Sequence, residues 1–159
     1  MKAFRRSRHQ FVAIFDPNEA STLSNLASQI TELIGDRATH EGDPAVLRLL
    51  PDAYPDDAEA SAEFRRFTAD DLAGRKSSNA RQIVTDLAVA AGAASATAVK
   101  VDAQAAQAWV RSLTDIRLTI AARLGIKSDD DLGSEDPALI DLYHWLGFVQ
   151  SSLVDCLDR

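Results

Sequence analysis

Phe11-Val12-Ala13-Ile14-Phe15-Asp16-Pro17-Asn18-Glu19-Ala20 opens the stretch that decides the fold, and the stretch runs on to Gly35. Its first five residues are β-branched or aromatic and predict a short strand. Asp16-Pro17 then stops the strand and starts a helix. An Asp at the N-cap accepts from a free N–H of the first turn, and a following proline has no N–H to orphan and a φ already suited to a helix. Glu19, three residues after Asp16, predicts a capping box with Asp as the cap. Leu23, Leu26, Ala27, Ile30, Leu33 and Ile34 recur at helical spacing and predict one buried stripe. Gly35 is expected to stop the helix at C′. The Asp-Pro pair recurs at Asp43-Pro44 and Asp136-Pro137, each time before an apolar run, so three helix starts are legible.

Working outward, Ala3 to Arg8 is expected to pair with the strand as a hairpin, turning near His9-Gln10. Arg37 to Gly42 reads as a loop, Pro44 to Leu50 as a short helix and residues 51–57 as a turn. A helix carrying Phe64 and Phe67 follows. Thr68 with Asp71 looks like a second cap, which predicts a break or kink there. A further helix is expected over about Ala69–Ala91, with Ile83, Val84, Leu87, Ala88 and Ala91 inward. Gly92 to Ala96 reads as a loop. Residues 98–101 predict a strand that joins the hairpin. Asp102 caps a long helix with Trp109, Leu113, Ile116, Ile120 and Leu124 on its core face, ended by Gly125. Residues 128–136 read as an acidic loop. The last helix, Pro137 to about Leu157, sets Leu139, Leu142, Leu146, Val149 and Leu153 in one seam, with Ile140, Trp145, Phe148 and Val154 off it. The expected fold class is mainly α: a helical bundle with a small N-terminal hairpin or short sheet, in a single domain over residues 1–159.

The totals agree with a globular domain. The chain has 159 residues, 46% hydrophobic and 26% charged, enough for a real core. Seventeen basic and twenty-four acidic residues give −7, a balance that repels phosphate backbones in bulk. The charge is uneven: Lys2, Arg5, Arg6 and Arg8 crowd the first ten residues without an acid. One cysteine, Cys156, excludes an intrachain disulfide and fits a reducing compartment. The first residues lack the apolar run of a signal peptide, and no apolar stretch approaches the roughly 18 residues of a membrane span. A cytoplasmic protein away from membranes is expected.

Chemical motifs are scarce. His9, His40 and His144 are scattered, and His40-Glu41-Gly42-Asp43 is a single loop cluster without a second set of ligands. Cys156 lies near a helix C-terminus, where the dipole disfavours a thiolate. Nucleophile-elbow, Walker and dinucleotide glycine patterns are absent. The acid pairs at 56–57 and 70–71 and the run at 129–131 fall in turns and first turns, where they cap and solubilise. No catalytic, metal-binding or cofactor-binding residue is assigned, and no enzyme is expected. Leu72-Ala73, Ile83 and Leu87 match helix-turn-helix core spacing with Arg75, Lys76 and Arg81 nearby. Ser77 and Ser78 stand where that motif carries a glycine and an apolar anchor, so a continuous helix with a basic exposed face is the better reading. Arg111, Asp115 and Arg117 are expected to form ion pairs that fix helix packing.

Several segments occur in order along nearly the whole chain. They are Phe4-Arg5-Arg6, Leu49-Leu50-Pro51-Asp52-Ala53-Tyr54, Glu63-Phe64-Arg65-Arg66-Phe67-Thr68, Val101-Asp102, Ala108-Trp109 through Leu118, and Leu142-Tyr143-His144-Trp145-Leu146 with Gln150, Ser152 and Leu153. Together they resemble the actinobacterial AosR-like family of oxidative-stress regulators, long catalogued as a domain of unknown function. The resemblance implies a cytoplasmic, non-enzymatic regulator of transcription under oxidative stress. Its implied partners are a sigma factor or RNA polymerase components. It also implies redox switching through a nearby cysteine pair. This chain departs there, because Cys156 is alone; as the candidate redox residue it would need an intermolecular disulfide.

The leading expectation is therefore a regulatory protein acting through protein partners. The alternative is a helical adaptor module without DNA contact or redox sensing. Candidate interaction residues are Arg5, Arg6, Arg8, Arg75, Lys76, Arg81, Trp145 and Phe148. The apolar width of the last helix raises a homodimer as a hypothesis.

Overall fold

The computed structural model describes residues 1–40, 42–51, 56–126 and 136–158, apart from the side chains of 58 and 65–67. The turn at 52–55, the acidic loop at 128–135, Glu41 and the Phe67 side chain lie outside the described residues. Eight elements follow in order: β1 (Lys2–Ser7), β2 (Gln10–Phe15), α1 (Pro17–Gly35), α2 (Pro44–Leu49), α3 (Ala58–Ala91), β3 (Thr97–Val101), α4 (Ala103–Leu124) and α5 (Pro137–Leu157). The fold is mainly α, with a three-stranded antiparallel sheet in the order β1-β2-β3.

The sheet forms because its strands alternate. Phe11, Ala13 and Phe15 point inward from β2, and Phe11 and Ala13 stand opposite Val101 and Val99 of β3. Paired inward residues place one apolar face on the helices. The hairpin turns one residue earlier than the sequence suggested, with Ser7 opposite Gln10 and Arg8-His9 as the loop. Arg8 takes a positive φ of 56° to close it. A register shift between Lys2 and Arg5 marks a bulge in β1.

The helix starts predicted at Asp16, Asp43, Asp102 and Asp136 sit where those caps placed them. Asp16 accepts from the N–H groups of Asn18 and Glu19, and the Glu19 carboxylate accepts from the Asp16 N–H, completing the box. Asp43, Asp57, Asp102 and Asp136 cap the other four helices. Gly125 ends α4 in the left-handed region at φ 73°. Gly35 does not act as a C′ stop: it is the last helical residue of α1, and Asp36 is the cap.

The expected break at Thr68 is absent. Residues 58–91 form one helix of 34 residues, about 50 Å long at the usual rise per residue. The Thr68 hydroxyl donates to the Phe64 carbonyl at 2.8 Å, so it bonds back along the helix and does not cap a new one. The inward stripe of α3 is Ala73, Ser77, Ala80, Ile83, Leu87 and Ala90, whereas Ala88 faces solvent.

A hydrophobic core cluster joins residues from all eight elements, with Leu49 as α2's contribution. Trp109 of α4, fully buried, is its hub. Its ring meets Phe4 of β1 at 5.6 Å and Phe15 of β2 at 6.1 Å, spacings at which aromatic pairs attract. Helix α4 touches α1, α2, α3, α5 and strands β2 and β3.

Candidate functional site

The polar side chains that reach the interior are used to join elements. At the α3–α4 seam, the Lys76 ammonium donates to Asp115 Oδ1 at 2.5 Å. Asp115 is only 3% exposed. Burial pushes its carboxyl above the ordinary range, and the Lys76 ammonium opposes that shift. Two to three turns along the same seam, Asp86 accepts from the Trp109 indole at 2.8 Å and from Gln82 at 3.0 Å. The expected pairing of Asp115 with Arg111 does not form. Asp115 faces α3, and Arg111 is left exposed on the groove rim.

The α4–α5 seam carries a second network. Arg117 Nη1 donates to Gln150 Oε1 at 2.8 Å, and its guanidinium lies over the Tyr143 ring at 4.6 Å. Gln150 Nε2 in turn donates to the Thr114 hydroxyl at 2.7 Å and the Val110 carbonyl at 3.2 Å. Gly147 lies against the Arg117 guanidinium, which a Cβ there would meet at 3.7 Å, an ordinary contact distance. At the β1–α5 seam, the Phe4 N–H donates to Ser152 Oγ at 3.4 Å, and the Cys156 thiol donates to the Phe4 carbonyl at 3.2 Å. Phe4, the segment from Trp109 to Arg117 and the segment from Tyr143 to Ser152 thus join elements to one another.

The candidate interaction residues fall on three separate elements. Arg5 and Arg6 are exposed on β1, an edge strand, and Arg8 is exposed in its turn. Arg75 and Arg81 are exposed on α3, whereas Lys76 is held by Asp115. On α5, Leu146, Val149, Leu153 and Cys156 are buried and Trp145 is half-buried against the core. Phe148 remains 49% exposed. The wide apolar face of α5 is thus largely absorbed by the core. Continuous helix runs through residues 72–87, with no turn between two helices. Cys156 is free and 7% exposed, beneath β1.

Residues 72, 75, 76 and 79 of α3 face 111, 114 and 115 of α4 across a groove of about 420 Å³. Arg111, Asn79 and Thr114 were not singled out as binding residues from the sequence. Helical spacing puts each on a face, but only packing sets the two faces opposite. Among the described residues no group of three or more His, Cys, Asp or Glu side chains converges as a metal set.

A family model described as a domain of unknown function, DUF2017, matches residues 1–157. The chain is 26% identical to proteins named oxidative stress regulator AosR from Mycobacterium bovis and Mycobacterium tuberculosis. It has the same identity to a putative oxidative stress regulator AosR from Mycobacterium leprae. Each of these matches spans 160 residues, 90% of this chain and 71% of the relative. No solved structure matches.

Proposed function

This chain belongs to the DUF2017 family, and from that premise we propose that it is a non-enzymatic regulator of the oxidative-stress response that acts through protein partners. The observation that carries the reading is the likeness, over 90% of the chain, to proteins named as oxidative-stress regulators. The interior polar groups add support, because they are spent on joining elements. Asp115 meets Lys76, Asp86 meets Trp109, and Arg117 meets Gln150. A nucleophile with a base in reach would be the mark of covalent catalysis, and none of these contacts supplies one. A cytoplasmic location accords with the reading, and no described helix is long and apolar enough to cross a membrane.

The test is capture of the full chain from peroxide-treated and untreated cells. Co-purification of a sigma factor or RNA polymerase subunit supports the proposal. Recovery of no transcription component under either condition overturns it.

A second reading is an adaptor without DNA contact. It is favoured by the engagement of Lys76, which removes one of three cations from the basic face of α3, and by the charge of −7. Salt-dependent duplex binding that is lost when Arg75 and Arg81 are changed together would overturn it. Either reading leaves Phe148, with half-buried Trp145 beside it on α5, as an apolar contact for a partner, a second copy included. A concentration-dependent mass abolished by Phe148→Asp identifies the second copy.

A further inference from the structure

The groove between α3 and α4 combines a neutralised floor with an unneutralised rim. Its floor holds the Lys76–Asp115 pair, whose charges cancel. Its rim carries Arg75 from α3 and Arg111 from α4, both exposed. Among the described residues neither guanidinium has an ion-pair or hydrogen-bond partner. Arg5, Arg6, Arg8 and Arg81 are likewise without a partner among the described residues, whereas Arg37, Arg48, Arg117 and Arg123 are engaged by Asp70, the Ile126 carbonyl, Gln150 and Asp43. What sets Arg75 and Arg111 apart is that two helices bring them to one groove. The groove therefore concentrates a local charge of about +2 on a protein whose total is −7.

We propose that this groove binds a small ligand through a phosphoryl or pyrophosphoryl group clamped between Arg75 and Arg111. Guanidinium is a planar fork whose N–H pairs match two oxygens of a tetrahedral oxyanion, and such bonds are the strong, charge-assisted kind. The Asn79 amide lies on the α3 wall as a further donor. Leu72 gives an apolar surface at one end. The Asp115 carboxylate does not repel the anion at full strength, because Lys76 holds it at 2.5 Å. A volume of about 420 Å³ suits a small molecule. A duplex is disfavoured by the acidic remainder of the protein. The proposal stands independently of the regulatory reading, because it rests on the groove alone.

The experiment is calorimetric titration of the full chain with sodium pyrophosphate at fixed ionic strength. Saturable binding is expected, weakened at least about tenfold in Arg75→Gln/Arg111→Gln and changed less than about twofold in Arg81→Gln, a loss of about 1.4 kcal/mol against almost none. Non-saturating heat, equal affinity in the double variant, or an equal loss in Arg81→Gln would overturn the site. A measurement on the unaltered protein removes dependence on how the variants fold. The Arg75 and Arg111 side-chain Nε–H resonances should move with pyrophosphate while that of Arg81 stays. Movement of all three alike would mean general charge screening and end the proposal. If duplex DNA displaces pyrophosphate at equal phosphate concentration, the ligand is not a small molecule and the assignment is wrong.

Discussion

Arg8 stands at the first central position of a two-residue hairpin loop with φ 56°. That position of the tight hairpin turns favours glycine, since a Cβ in this region of φ is strained. Arg8→Gly should therefore raise stability by about 0.5–1 kcal/mol in urea melts. A loss would mean that the arginine makes a compensating contact. Lys76 is the opposite case, a charge whose removal strands another. Lys76→Met leaves the Asp115 carboxylate buried without its partner and should cost about 2–4 kcal/mol, a little below a fully buried pair because the lysine side chain keeps 18% exposure. Lys76→Met/Asp115→Leu removes both charges and should recover most of that loss. An equal cost in single and double variants would show that packing, and not charge, is at stake.

Within elements, two glycines respond with opposite sign. Gly74 lies inside α3 with open space where a Cβ would go. Gly74→Ala should stabilise by about 0.5–1 kcal/mol, because glycine in a helix interior costs conformational entropy. Gly125 closes α4 at φ 73°, so Gly125→Ala should destabilise by about 1 kcal/mol despite equally open space. Thermal unfolding of the two variants checks both signs. The ties between elements also respond to acid. The Arg123 hydrogen bond holds the Asp43 carboxyl below the ordinary carboxylate range, with the Ala45 N–H helping and burial opposing. A depressed folded value contributes stability above about pH 3.9 that is lost as pH falls through the folded value. Burial raises Asp115 instead. Its contribution is most favourable below about pH 3.9 and declines as pH rises through the folded value. Arg123→Gln should therefore lessen the stability lost between about pH 5 and pH 3, and Asp115→Asn should steepen it. Urea midpoints measured across that range decide both.

For the molecule as a whole, the single thiol reports on how the sheet sits against the bundle. Cys156 Sγ donates to the Phe4 carbonyl, and the Phe4 ring in turn meets Trp109 edge to face. The thiol becomes freely exposed when β1 lifts from α5 or when the last turn of α5 frays. Its labelling by a disulfide reagent should run at least about a hundredfold slower than in the urea-unfolded chain, as expected of a buried cysteine. Comparable rates would mean that β1 or the last turn of α5 opens readily. In that event Cys156 becomes accessible to a second molecule, and a peroxide-induced dimer reversible by dithiothreitol and lost in Cys156→Ala is the consequence to measure.

The amino-acid sequence determined by itself whatever closes within one turn of chain. Asp-Pro pairs and Asp102 marked helix starts, because a cap side chain reaches only the next two or three N–H groups. The alternation of β2 and the stripe of α4 told which side chains go inward, because backbone periodicity fixes side-chain direction. The continuity of α3 was not legible, since Thr68 serves equally as a cap or as a donor to the preceding turn. Nor was the partner of Asp115: Arg111 is four residues away in the chain, but Lys76, thirty-nine away, is the one that packing brings near. The candidate groove belongs to the same category. Its two arginines sit on helices that meet only because Trp109, Leu113 and Ile116 bury α4 in the core. Tertiary structure alone decides such pairings, because burial energy depends on which faces meet and not on where their residues lie along the chain.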